Sequence, residues 1–103
     1  MAKTKREVED IIRRYKDALK ALGIVPQDII LYGSYAGGNP RDDSDIDLIV
    51  ISNDFAQMNL RERLETLGLA AGKVFEPIEA IGYTQEELKD IKGTFLEGIL
   101  SSR

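Results

Sequence analysis

The chain contains no cysteine, no histidine and no tryptophan. Without cysteine there is no disulfide, no thiolate zinc site and no cysteine nucleophile. Without histidine there is no Ser-His-Asp triad, no imidazole base and no imidazole metal ligand. Any metal must be held by oxygen, which selects Mg²⁺, Mn²⁺ or Ca²⁺ over Zn²⁺ or Cu²⁺. No apolar run reaches the roughly 20 residues of a transmembrane helix, so no membrane contact is expected. The first 20 residues carry no apolar signal-peptide core, so the cytoplasm is the default compartment. Basic residues are outnumbered, 14 Lys and Arg against 18 Asp and Glu, for a net charge of −4. That balance argues against a nonspecific nucleic-acid binder, which normally carries a basic face.

What is present describes one small globular domain spanning residues 1–103, with 43% hydrophobic and 31% charged residues. At this size folding buries roughly 60–65% of the unfolded chain's surface, enough for one thin core. No repeat, low-complexity tract or linker interrupts it.

Thr4 and Glu7 have capping-box spacing, and Val8, Ile11, Ile12, Tyr15, Leu19 and Leu22 recur on one helical face. A helix is predicted over about 5–22, stopped by Gly23. Ile29 to Tyr32 is a short continuous apolar run ending at Gly33, the pattern of a strand buried on both faces. A stretch poor in apolar residues follows from Ser34 to Ser44, then a second strand from Asp45 to Ile51. Met58, Leu60, Leu64, Leu67 and Leu69 fit a helix between Asp54 and about Ala71, with Gly68 and Gly72 marking its end. A third strand is predicted from Val74 to Tyr83, at an edge or interrupted because of Pro77. Thr84 and Glu87 repeat the capping-box spacing, so a last helix starts near Gln85, and Gly93 and Gly98 weaken its continuation to Phe95, Ile99 and Leu100. The order α-β-β-α-β-α predicts an α/β (α+β) domain, a small mixed sheet flanked by helices.

Chemistry concentrates in one stretch. Side chains two apart on a strand share a face, so Asp45 and Asp47 point the same way with their carboxylates several Å apart. Their repulsion needs an offset, and a hard divalent cation supplies one. Solvated acids on a strand face are the bland alternative, although these two head a run, Leu48 to Ile51, that reads as buried. Gly33 stands where the first strand ends, able to let backbone approach a ligand closely. Ser34 adds a hydroxyl and can open a short helix whose N–H groups face an anion. A Gly-Ser alone is an ordinary turn. A phosphate turn on one strand end beside a carboxylate pair on the next suits a metal-complexed triphosphate.

From Gly33-Ser34 through Asp45-Ile46-Asp47-Leu48 the chain resembles the signature of the DNA polymerase β-like nucleotidyltransferase superfamily: Gly-Ser, a spacer of ten residues, then Asp-x-Asp. In length and spacer it looks most like the minimal nucleotidyltransferases, small proteins often encoded beside a helical HEPN protein as antitoxins. The resemblance covers about Ile29 to Tyr83. It implies the nucleotidyltransferase fold and transfer of a nucleoside monophosphate, AMP from ATP, to an acceptor hydroxyl. It implies that Gly33 and Ser34 hold the triphosphate and that Asp45 and Asp47 bind two Mg²⁺ ions, or Mn²⁺. A third acid on the following strand completes the family site. The stretch Phe75-Glu76-Pro77-Ile78 resembles a hydrophobic-Glu-Pro-Ile segment of small relatives, which favours Glu76 as catalytic acid and metal ligand, with Glu79 the alternative.

The chain also departs from the pattern. Tyr35 and Gly37 stand where relatives often carry arginine, which leaves Arg41 as the cation over the triphosphate. Ser44 matches the usual residue before the first acid and joins the nucleotide-binding set, while Asp42 and Asp43 read as solvated. The expected partners are a nucleoside triphosphate and a small helical HEPN-type protein, and a homo-oligomer stays open. The alternative function is an antitoxin-type binding module that neutralises its partner mainly by contact.

Overall fold

The computed structural model describes residues 2–38, 45–90 and 97–99. Its first helix, α1 (Lys5–Ala21), opens on the predicted capping box: the Glu7 N–H donates to the Thr4 hydroxyl at 3.1 Å and the Thr4 N–H to the Glu7 carboxylate at 3.0 Å. Val8, Ile11, Tyr15 and Leu19 form its buried stripe. Strand β1 (Asp28–Tyr32) leads through Gly33 into the one-turn helix α2 (Ser34–Gly37). Strand β2 (Ile46–Ile51) follows, then a 3-10 turn at Asn53–Gln57, helix α3 (Leu60–Val74) and strand β3 (Ile78–Tyr83).

The sheet order is β1-β2-β3, with β1 antiparallel and β3 parallel to the central β2. This is the mixed sheet flanked by helices that the pattern of elements predicts. The two faces of β2 have different neighbours. Ile46, Leu48 and Val50 pack with α1 and α3 in the main core, together with Phe55 and Leu67. Ile49 and Ile51 form a smaller cluster with Ile30 on the opposite face, to which Tyr32, Tyr83, Leu88 and Ile99 add. The central strand is therefore the one buried on both faces. β1 is an edge strand in which Ile30 is buried and its neighbours are half-buried, so its apolar run overstates its burial.

Three expected boundaries move. The helix expected from Asp54 divides, because Ser52 caps the 3-10 turn and Asn59 opens α3 with a second capping box through Glu62. Past Gly68 and Gly72, α3 continues to Val74, since each helical glycine costs only about 1 kcal/mol and burial of Ala70 and Val74 offsets it. It stops where Phe75 takes left-handed dihedrals, φ 59° and ψ 39°. The third strand thus starts at Ile78, not Val74. At the last helix signal, Thr84 and Glu87 do form their reciprocal pair, leading into a 3-10 segment at Glu87–Asp90. Phe95 and Leu100 lie outside the described residues.

Candidate active site

Register places the chemistry. Tyr32 of β1 is opposite Asp47 of β2, and Asp47 is beside Glu79 of β3. Residues aligned across neighbouring strands share a face, so Tyr32, Asp47 and Glu79 form one row. It lies on the face away from α1 and α3, at the end where β1 finishes and β2 and β3 begin. Asp45 sits just ahead of β2, exposed, two residues before Asp47.

Partial burial, then the Glu79 charge, then the Asp45 charge push the Asp47 carboxyl above the usual aspartate range. Burial, Asp47, Glu79 and Tyr83 push the Tyr32 phenol up in the same way, so it stays protonated near neutrality. Two neighbouring acids, Glu79 and Asp45, therefore act on Asp47 here.

Gly33 joins this row to the turn. Its φ of 75° and ψ of −154° fall in a region essentially reserved for glycine. A Cβ built at Gly33 would fall on the Asp47 carboxylate itself. Asp47 thus lies against the backbone that starts α2. Within that turn the Ala36 and Gly37 N–H groups donate to the Gly33 carbonyl, at 3.1 and 3.0 Å. The Ser34 and Tyr35 N–H groups precede any acceptor inside the helix.

Glu76 is not brought to the pair. It precedes β3, and its carboxylate faces Lys3 and Arg14, each with an N···O distance of 3.6 Å. The expectation for Glu76 used strand alternation from Val74, but Val74 is helical and Phe75 turns the chain, so that alternation starts only at Ile78. Glu79, the alternative acid, is the one beside Asp47. A cavity of about 740 Å³ opens next to Glu76 on the α1 side and is lined by Lys3, Arg6, Asp10 and Arg14 rather than by the acid row. Arg41, Asp42, Asp43 and Ser44 lie outside the described residues. Tyr32 was missed by motif reasoning, and only its pairing with Asp47 reveals it.

Among the described residues no three carboxylates already form a group that could enclose a metal ion. In kind, the donor set fits a hard cation: every candidate ligand is a carboxylate oxygen, and the charges that raise Asp47 are those a cation would offset.

Comparison with known proteins shows what the chain is similar to. A family model described as a nucleotidyltransferase domain matches residues 12–98. The chain belongs to the nucleotidyltransferase domain family. A protein of Methanocaldococcus jannaschii named "Putative protein adenylyltransferase MJ1379" is 37% identical over 65 residues, 63% of this chain and 64% of that protein's length. A crystal structure described as a "putative nucleotidyltransferase from Sulfolobus solfataricus" superposes with a TM-score of 0.55 over 89% of this chain and 86% of that one. At 22% identity that second likeness is one of fold. No described helix of this nucleotidyltransferase domain is long and apolar enough to cross a membrane.

Proposed function

We propose that the chain transfers AMP from ATP to an acceptor hydroxyl, with Asp45 and Asp47 holding a divalent cation and Glu79 completing the site. The carrying observation is the row Asp47–Glu79 set against the Gly33–Ser34 turn. Choice of the adenylyl group draws on the M. jannaschii relative, whose printed name is that of a protein adenylyltransferase. Mg²⁺ or Mn²⁺ bound to Asp45 and Asp47 would neutralise phosphate charge and lower the pKa of the acceptor hydroxyl. The Ser34 hydroxyl and the free N–H groups of the turn hold the triphosphate, and Arg41 and Ser44 are proposed to join them. The acceptor oxygen bonds to the α-phosphorus, the bond to the β-phosphate oxygen breaks, and pyrophosphate leaves. Glu79 takes the hydroxyl proton. Tyr32, kept protonated, stands at the edge of the row.

Incubation with α-labelled ATP, Mg²⁺ and the product of the adjacent gene tests this reading. Label should appear on protein. Asp47→Asn should lose both ATP binding and transfer. Glu79→Gln should lose transfer by at least about 100-fold, the usual scale for acid–base groups, while ATP binding changes little. ATP·Mg²⁺ binding undiminished in Asp47→Asn would sink the assignment.

A second reading, docking on a helical HEPN-type partner, draws on α3. Leu60 and Leu64 are 67% and 49% exposed, and Phe75 beyond the helix end is 90% exposed. Between them Gly68 and Gly72 have open space at the Cβ position. These residues fall on one side of the helix, a surface that another helix can approach closely. Co-purification lost on Leu64→Glu, with ATP binding retained, is the expected result. Retained co-purification would remove α3 from the interface.

A further inference from the structure

We propose that Glu76 is a positioning residue that ties the phosphate turn to the acid-bearing strands through Lys3, Arg14 and Tyr35. Its kinetic consequence rests on the nucleotidyl-transfer reading above.

Two side chains meet at this carboxylate, and each leads on to a further segment. One oxygen of Glu76 faces Lys3 Nζ and the other faces Arg14 Nη2, both at 3.6 Å. The main-chain N–H of the same Lys3 donates to the Tyr35 hydroxyl at 3.3 Å. Tyr35 is the second residue of α2, directly after Ser34, and its ring packs against the helix-side core. Glu76 is thus linked, through one lysine, to the helix that starts at the phosphate turn. Arg14 extends the link the other way. Its Nε binds Asp10 at 3.1 Å and its Nη1 reaches the Val74 carbonyl at 3.5 Å, where α3 ends.

Glu76 also stands where a small shift would matter. The Pro77 carbonyl accepts from the Ile46 N–H at 2.8 Å, one residue after Asp45. The Ile78 N–H closes a tight turn onto the Glu76 carbonyl at 2.8 Å. Glu79 follows at the next position. In a strand, a one-residue slip moves every side chain to the other face, so whatever holds residues 76–78 decides that Glu79 meets Asp47. Glu76 is only 24% exposed and Lys3 22%, so the contact between them is screened less than that of a fully exposed pair.

The test uses the full chain and the variants Glu76→Gln, Tyr35→Phe and the double variant. Calorimetric ATP·Mg²⁺ binding and amide exchange at residues 34–38 are read on each. Glu76→Gln should weaken ATP binding by about fivefold, the ratio to which two partly exposed ion pairs convert, and Tyr35→Phe, which removes the acceptor of the Lys3 N–H, should weaken it in the same direction. In one connected network the double variant should be no weaker than the worse single variant. Exchange at 34–38 should speed up in Glu76→Gln, and Glu76→Asp, which keeps the charge at shorter reach, should fall between it and the parent. Unchanged binding and exchange in Glu76→Gln would overturn the proposal, as would losses that simply multiply in the double variant. If the parent chain binds no ATP, the transfer reading fails instead. The exchange data then decide the coupling alone: acceleration at 34–38 supports it and no change refutes it.

Discussion

A side chain at Gly33 would meet two separate penalties, and they can be measured apart. The positive φ of 75° is one, and the Asp47 carboxylate occupying the Cβ position is the other. Gly33→Ala should therefore lose about 1–3 kcal/mol of stability from strain alone, plus the displacement of Asp47. The double variant Gly33→Ala/Asp47→Ala relieves the collision but not the strain. It should unfold at a denaturant concentration between those of Gly33→Ala and the parent. Equal midpoints for the single and double variants would show that Asp47 does not press on this glycine. Asp47 carries the opposite kind of energy. Burial and two neighbouring acids disfavour its charge, so Asp47→Asn should leave stability unchanged or raise it at neutral pH, even as it removes the site. Because the folded-state pKa is raised, the charged form weakens the fold as pH rises through it. The variant's advantage should thus vanish below the ordinary aspartate range, as chemical denaturation across pH would show.

Elements are held in place by a few polar contacts that join them end to end. Arg63 of α3 donates to both oxygens of Glu87 at 2.7 and 2.9 Å, lies over the Phe55 ring at 5.7 Å and donates to the Gly82 carbonyl at 3.3 Å. The same carboxylate accepts from the Thr84 N–H at 2.8 Å. One side chain of α3 thus fastens the end of β3 and the segment after it, which carries Leu88 onto the sheet face away from α1 and α3. The Arg63 hydrogen bonds chiefly, and the Thr84 N–H after them, hold Glu87 below the usual glutamate range. This contribution is present above the ordinary glutamate range and is lost as pH falls through the lowered folded value. Glu87→Gln should cost about 1 kcal/mol near neutrality, after screening of a half-exposed carboxylate, and should flatten the acid limb of the stability profile. A parallel profile with the same acid slope would assign that slope to another group. Gly82 belongs to the same joint: a Cβ there would come within 2.8 Å of the Phe55 ring.

At the scale of the whole molecule the sheet divides stability from chemistry. Its helix-covered face holds the main core, and its other face holds the row of Tyr32, Asp47 and Glu79 above a smaller apolar cluster. Leu48, fully buried on the helix side, points away from its neighbour Asp47. Leu48→Ala should cost about 2–5 kcal/mol while the folded fraction binds ATP·Mg²⁺ as the parent does. A specific loss of affinity, measured well below the unfolding transition, would show that the two faces are coupled through β2.

Local rules were enough for much of this protein. The capping boxes at Thr4–Glu7 and Thr84–Glu87 are formed where their spacing places them, because each needs only four consecutive residues. The same holds for the glycine at the end of β1, which follows from one backbone position. The third acid was a different problem. Glu76 and Glu79 are the same residue type three positions apart, and choosing between them required knowing where α3 ends. That point depends on burial of Ala70 and Val74 against the sheet and on a left-handed Phe75, both properties of packing rather than of local propensity. Tyr32 became part of the row only through antiparallel pairing with β2, a contact across fifteen residues of chain. Periodicity along one segment determines which side chains share a face. Only the register between segments, set by the core as a whole, decides which faces meet.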